Sequence, residues 1–163
     1  ASGTGLQRVT NGLTLDNGTV DLNSNSVLSF AGDQTLGGTG TIVLGSTGAS
    51  NRALSMEGST VLTVGQSVVV RGHSGTIGQA HLAGGTQNLV NHGSIISDGG
   101  GTITVTPTAM INNGLMRAQV GTLTIQAPLS GSGTLQVDAS GVANLANGAK
   151  SQGQLLMVRL APP

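Results

Sequence analysis

The chain has 163 residues, six basic and six acidic side chains, no cysteine, and Phe30 as its only aromatic residue. That length suits one continuous domain, 1–163. The charge balance leaves no basic patch for a phosphate backbone, which removes nucleic acid as an expected partner, no apolar run reaches the length of a membrane span, and disulfides and thiolate metal sites lack their cysteines.

Glycine and threonine dominate, at 28 and 19 residues. Both are poor in helix interiors, and threonine favours strands. Apolar and polar residues alternate with period 2 nearly throughout, so the expected class is all-β. A core of Leu, Val and Ile without Trp or Tyr suits a narrow interior filled by layers of similar side chains.

In chain order, the first predicted strands are Gly12–Leu15, Gly18–Leu22 and Ser26–Phe30, separated by turn signals that include Asn11-Gly12 and Asn17-Gly18. Asn-Gly tolerates positive φ, so a tight antiparallel hairpin is a local alternative. Asp21, opposite Val20 and Leu22, is expected to be solvated. Leu36–Leu44, Ala53–Met56 and Thr60–Val64 continue the pattern. The segment Leu36–Asn51 resembles Leu129–Asn144 at a fixed offset of 93, with Gly38, Gly40, Thr41, Gly48 and Asn51 matched by Gly131, Gly133, Thr134, Gly141 and Asn144. One structural unit is therefore expected at two places.

Next come Ser67–Val70, Gly75–Ile77 and Ser94–Ile96. Between them Gln79–Gln87 loses the alternation, and it reads as a loop leaving the scaffold, the kind of segment where binding usually sits. His81 is its one chemically distinctive residue.

From Asn88 to Asp138 one phrase recurs as Gly101-Thr-Ile-Thr-Val105, Gly121-Thr-Leu-Thr-Ile125 and Gly133-Thr-Leu-Gln-Val137, and another as Asn91-His-Gly-Ser-Ile95 and Asn112-Asn-Gly-Leu-Met116. The first two glycine-threonine phrases start 20 residues apart and the asparagine phrases 21 apart. That period predicts a parallel β-solenoid of about 20 residues per rung. A single rung cannot bury its apolar face, but stacked rungs bury all of them in one column. About seven or eight turns give a rod on the order of 35 Å long. The expected core includes Ile103, Val105, Leu123, Ile125, Leu135 and Val137, together with Leu13, Leu15, Val20, Leu22, Leu28, Phe30, Ile42, Leu44, Leu62, Val64, Val68, Val70, Ile77 and Ile95. Corner candidates are Asn91, Asn112, Asn113 and Asn144, either as stacked ladders or as plain turn residues. Gln154–Leu160 is the last predicted strand, and Ala161-Pro-Pro163 stops the ladder because proline lacks the N–H donor.

Asn112-Asn-Gly-Leu, Gly121-Thr-Leu-Thr-Ile, Ser130-Gly-Ser-Gly-Thr-Leu-Gln-Val and Thr63-Val-Gly-Gln-Ser-Val-Val-Val-Arg-Gly72 resemble repeats of large secreted bacterial surface proteins. These are the autotransporter passenger domains and the filamentous-haemagglutinin-like adhesins. The resemblance runs from about Gly12 to Val137, and its degenerate motifs specify architecture rather than activity. It implies a right-handed parallel β-helix, an extracellular or cell-surface location, and a role as stalk, fibre, adhesin or biofilm-matrix element. The anchoring barrel and secretion module of such proteins have no counterpart here. Neither end carries an amphipathic or charge-rich cap, so the end rungs are expected to meet further copies end to end, or neighbouring repeats of a larger adhesin.

Chemistry-bearing residues are sparse. A polysaccharide-cleaving β-helix needs clustered carboxylates, whereas Asp16, Asp21, Asp33, Glu57, Asp98 and Asp138 are spread along the chain and read as solvated or corner residues. His73, His81 and His92 lack metal-ligand spacing, and Gly99–Gly101 lacks the Lys-Ser/Thr ending of a phosphate loop. No catalytic, metal or cofactor residue is assigned. Outward Thr102, Thr104, Thr122 and Thr124 form a small hydroxyl ladder of the kind that can order water or ice, interrupted in the matching phrases by Gln136 and Val43. The sequence thus points to a non-catalytic extracellular structural or adhesive solenoid with a possible cell-surface or glycan partner. A polysaccharide-active enzyme and an ice-binding solenoid are the alternatives.

Overall fold

A computed structural model of the chain describes residues 2–45, 51–146 and 157–160. Among them are fifteen strands and no helix, joined into one sheet in which every pairing is parallel. In chain order they are β1 (Ser2–Val9), β2 (Leu13–Ala31), β3 (Gln34–Leu44), β4 (Ala53–Glu57), β5 (Thr60–Val64), β6 (Val68–Gly72), β7 (Gly75–Ile77) and β8 (Gln87–Asn91). Then follow β9 (Ser94–Ser97), β10 (Thr102–Val105), β11 (Ala109–Asn112), β12 (Leu115–Ile125), β13 (Leu129–Ser130), β14 (Thr134–Leu145) and β15 (Met157–Leu160). Residues 154–156 of the last predicted strand and the tail 161–163 lie outside the described residues.

The pairings resolve into three faces. The first stacks the starts of β2 and β3 with β5, β8, β11 and β13. The second stacks the middle of β2, the end of β3, β6, β9, the starts of β12 and β14, and β15. The third stacks β1, the end of β2, β4, β7, β10 and the ends of β12 and β14. The result is a β-solenoid with coils of about 22 residues and about 6 turns, where the sequence suggested about 20 residues and seven or eight turns. The offset between stacked residues varies from 19 between Met116 and Leu135 to 28 between Gly40 and Val68. The longer early coils, hidden from a period read in the C-terminal half, account for the smaller count. At the inter-strand spacing the stack is about 30 Å tall.

The Asn-Gly pairs do not make hairpins. β2 continues through Asn17, and Asn17 (φ 49) and Asn25 (φ 58) turn it from one face to the next while it pairs in parallel with β3. The strands' partners lie a full coil away, so a local reversal would forfeit the ladder. Of the unit seen at an offset of 93, Thr41 and Thr134 stack in one column of the second face, Asn51 and Asn144 do not correspond, and Gly48 lies outside the described residues. Gly38 and Gly131 both have positive φ and both carry the chain from the first face to the second. The three glycine-threonine phrases, in contrast, do not share a face. Thr102–Val105 and Thr122–Ile125 stack on the third face, whereas Thr134–Val137 stacks on Leu115–Ala118 of the second.

Inside, Ile103, Val105, Leu123 and Ile125 are fully buried, Leu135 nearly so, and Val137 packs half-buried against the same column. Leu36, Leu54, Met56, Leu89, Met110, Met116 and Leu129 complete it.

The turn from first to second face shows why the coil closes as it does. Asn91 and Asn112 are completely buried there. Asn91 Nδ2 donates to Asn112 Oδ1 (2.7 Å), and Asn112 Nδ2 donates to the Thr134 carbonyl (3.3 Å), which ties three coils together. Asn113 points to solvent, its Oδ1 accepting the Ser132 N–H at 3.3 Å. Asn144 is not a corner residue: it lies exposed within β14, in register with Thr124. Beside the buried asparagines the backbone layers touch. A Cβ on Gly114 would stand 2.1 Å from the Gly93 carbonyl oxygen, and one on Gly133 would stand 2.4 Å from that of Gly114.

Two substitutions test this corner. Gly114→Ala is expected to lose about 3 kcal/mol through overpacking against fixed backbone. Asn112→Ala is expected to lose about 2 kcal/mol by stranding the buried Asn91 amide. Urea denaturation reads both, with Gly84→Ala as a silent control, since nothing lies within 4 Å of a Cβ there.

Candidate functional site

The most built-up feature outside the column is the segment 78–86, which leaves after β7 and returns as β8. Gln87, expected in the loop, belongs to the strand. The segment does not project freely but straps across the outside of the third face. Gly58 N–H donates to the Ala83 carbonyl (2.7 Å), Thr60 N–H to that of Thr86 (2.9 Å), and Gln87 Nε2 to that of Gly58 (2.9 Å).

Its anchor is Glu57, at the end of β4. The carboxylate accepts N–H groups of His81 (3.0 Å), Leu82 (2.8 Å) and Ala83 (2.6 Å), and the hydroxyls of Ser29 (3.0 Å) and Ser55 (3.2 Å). Glu57 is only 5% exposed, and both serines are completely buried although they sit at outward positions of their strands. Of the two expected placements, solvated or corner, Glu57 takes the corner at the end of β4 and is not solvated. Burial by itself opposes ionisation, but the N–H groups of Ala83, Leu82 and His81 and the Ser29 hydroxyl favour the anion and outweigh it, bringing the pKa down to about 2. The signal was slight: Glu57 is the chain's only glutamate, placed at a strand end before glycine.

Between strap and face lies a cleft of about 390 Å³. Val27, Ala53 and Thr76 form its floor, and Asn51, Gln79 and His81 stand on its rim. Its exposed polar groups are amides, a hydroxyl and an imidazole, suited to hydrogen-bonding a small polar molecule. Arg52, beside it, is turned inward and only 4% exposed, its Nη1 donating to the Ser74 carbonyl (3.2 Å) and hydroxyl (3.0 Å). A second hollow of about 400 Å³, on the second face, holds Arg71, His73 and Asp98.

The remaining carboxylates are mostly engaged in structure. Arg71 pairs with Asp98, and Arg117 makes a two-nitrogen contact with Asp138, which also accepts from Gln136 (2.8 Å). The hydrogen bond from Arg117, then that from Gln136, holds the Asp138 carboxyl below its ordinary value. In both pairs an arginine on one coil reaches an aspartate at the second-face strand end of the next. Asp33 accepts the Val61 N–H (2.8 Å). Asp21, expected in solvent, is half-buried. Among the described residues no three His, Asp or Glu side chains are gathered as metal ligands. His81 lines the strap cleft and His73 the other hollow.

The threonine ladder exists as two columns, Thr102–Thr122 and Thr76–Thr104–Thr124. It is bounded by Val142 and Asn144. Gln136 and Val43, the expected interruptions, lie on the second face.

No protein-family model matches the chain, and no curated protein or solved structure is significantly similar to it. No helix among the described residues is long and apolar enough to cross a membrane.

The strap should be controlled by one carboxylate. Glu57→Gln is expected to cost about 2 kcal/mol and to speed amide hydrogen exchange at residues 81–83, with residues 115–118 unaffected. A depressed folded-state pKa means that this stabilisation is complete above the ordinary value of 4.5 and disappears as pH falls toward 2. An acid titration followed by exchange at the same amides should therefore show the strap loosening in that window, and should show no such step in the Gln variant.

Proposed function

We propose that this chain is a non-catalytic structural or adhesive segment, a stalk or fibre element that acts outside the cell or on a bacterial surface. The observation that carries the reading is the parallel ladder on three faces over one apolar column. Such a stack resists bending and pulling because every coil is hydrogen-bonded to the next along the axis. Its charged groups support the same role. Glu57, Asp33, Asp98 and Asp138 hold strap, corner and neighbouring coils, which leaves them poorly placed to exchange protons with a substrate.

Contacts with partners would come from the outward faces and from the strap cleft, whose amide-rich rim suits a cell-surface or glycan group. Axial contacts would come from further copies or from neighbouring coils of a larger adhesin. The resemblance of the Asn-Gly-Leu and Gly-Thr-Leu phrases to secreted adhesin repeats supports the location.

Electron microscopy of the purified chain over a range of concentrations tests the reading. Uniform filaments one solenoid wide, or short discrete rods, are the expected outcomes and separate the fibre form from the stalk form. Compact isotropic particles would sink both. New reducing ends released from a panel of neutral and acidic polysaccharides would overturn the non-catalytic assignment.

A further inference from the structure

A stiff rod makes no use of the hollow on the second face, yet Arg71, His73 and Asp98 all line it. The ladder fixes where each stands. Arg71 projects outward from β6, between Val43 of the preceding coil and Ile96 of the following one. His73 sits in the turn after β6, its N–H donated to the Gly45 carbonyl (3.0 Å), and Asp98 follows β9, its N–H donated to the Gly72 carbonyl (3.2 Å). The Asp98 carboxylate holds the Arg71 guanidinium, and the pair is lopsided: the Asp98 side chain is 8% exposed, that of Arg71 52%. The anion is tucked into the wall while the cation faces the opening. Asp21, two coils before Arg71 in the same column, does not line the hollow.

The three glycines Gly99–Gly101 find their reason here. A Cβ on Gly99 would stand 2.5 Å from His73 Cα, and one on Gly101 would stand 2.4 Å from His73 Nδ1. Only bare backbone can fold over the imidazole in this way. Nδ1 is sealed and has no hydrogen-bond partner. A lone pair costs less to bury unpaired than an N–H, which places the ring proton on Nε2, the nitrogen left to the hollow. The Arg71 fork and His73 Nε2–H thus border one space of about 400 Å³, within the range of small-ligand sites. Thr41 adds a hydroxyl and Val43 an apolar floor, both on the outward side of β3.

We propose that this hollow binds the carboxylate of an acidic sugar, a uronic or sialic acid unit, a claim that rests on the adhesive role with a glycan partner put forward above. Asp98 is reached through Nη2 of Arg71, and the remaining guanidinium N–H groups can grip a carboxylate in parallel. Because Asp98 holds the fork from behind, its orientation is set before the ligand arrives. His73 Nε2–H and the Thr41 hydroxyl would hydrogen-bond the sugar oxygens, and Val43 would meet its C–H face. A neutral sugar leaves the guanidinium unmatched, and acetate lacks the hydroxyl and apolar contacts.

The test is a titration of the intact, isotopically labelled chain with glucuronate and with N-acetylneuraminate, beside glucose and acetate, followed through the backbone amide resonances. The two acids separate a uronate from a sialate source. Saturable shifts centred on residues 71–73 and 98–101 are expected with at least one of them, at an affinity about tenfold above glucose and acetate, the factor that one charge-assisted hydrogen bond supplies. Arg71→Gln should remove that preference, and Arg71→Lys, which keeps the charge but loses the fork, should retain part of it. Arg117→Gln, which removes the arginine two coils further along the same column, should leave it intact. Equal affinity for acetate, an adventitious anion site only, would overturn the inference. So would equal affinity for glucose, shifts centred on residues 79–81 of the strap cleft, no saturation by either acid, or an Arg71→Gln protein that keeps the preference. Those failures leave the rods or filaments expected in micrographs unaffected, whereas compact particles would sink the stalk role with the titration unchanged, so the two proposals fail separately.

Discussion

Each strand in this chain finds its backbone partners only in the coils above and below. A coil cannot pair with itself, because its three strands point along three different faces. Buried N–H and C=O groups must be paired, so the stack spacing of about 4.8 Å is imposed everywhere at once. Side chains at equivalent positions then lie on top of one another, which is why the column runs Leu28, Leu54, Ile77, Val105, Ile125 up the third face. The same spacing governs the turns. At the turn from first to second face, carbonyl oxygens approach the next layer so closely that Gly93, Gly114 and Gly133 have no room for a Cβ. The polar groups left by the turn are collected by Asn91 and Asn112, whose side chains reach along the axis rather than outward.

A strict stack has no tolerance for extra residues, yet the coils differ in length. Where length is added, a buried polar side chain secures it. Glu57 holds the segment 78–86, Arg52 reaches Ser74 in the turn between β6 and β7, and Gln34 joins the Val9, Gly12 and Ala31 backbones at the start of β3. Burying a carboxylate or a guanidinium is costly unless its hydrogen-bonding capacity is met. Glu57 meets it with five donors, three of them N–H groups of consecutive residues in the strap. The strap's conformation is therefore set by a side chain on the scaffold rather than by its own packing.

These irregularities divide what the sequence discloses from what it hides. Period-2 alternation and recurring glycine-threonine phrases report forces that act identically on every coil, so the all-β class and the solenoid were readable. So was the unit shared by Leu36 and Leu129, because Gly38 and Gly131 both make the first-to-second-face turn at positive φ. Pairing across the stack was not readable. Thr134-Leu-Gln-Val137 reads like Thr122-Leu-Thr-Ile125, yet the two lie on different faces, because both phrases describe a generic strand and neither encodes its address. Glu57 and Arg52 escaped for the converse reason. A charge within an alternating segment looks solvated unless the segment that covers it is known, and the residues covering Glu57 lie 24 to 26 positions away. Asn144 misled because its match to Asn51 concerned sequence, whereas its place within β14 is decided by the ladder with β12.

Coupling in such a molecule is short-ranged. Each coil touches its immediate neighbours, so stability is close to a sum of coil and interface contributions, with no tertiary route that bypasses the stack. Occupancy of the strap cleft would be felt by the coils carrying β2, β4 and β7, which form its floor, and would fade along the axis beyond them. Long-range allosteric signalling is thus a poor fit to this architecture. Local recognition on a rigid support is a better one, because a site held by Glu57 keeps its geometry while tension or thermal bending is shared among the inter-coil hydrogen bonds. The three contacts made by Gln34 are local in the same sense, tying together the backbones of Val9, Gly12 and Ala31.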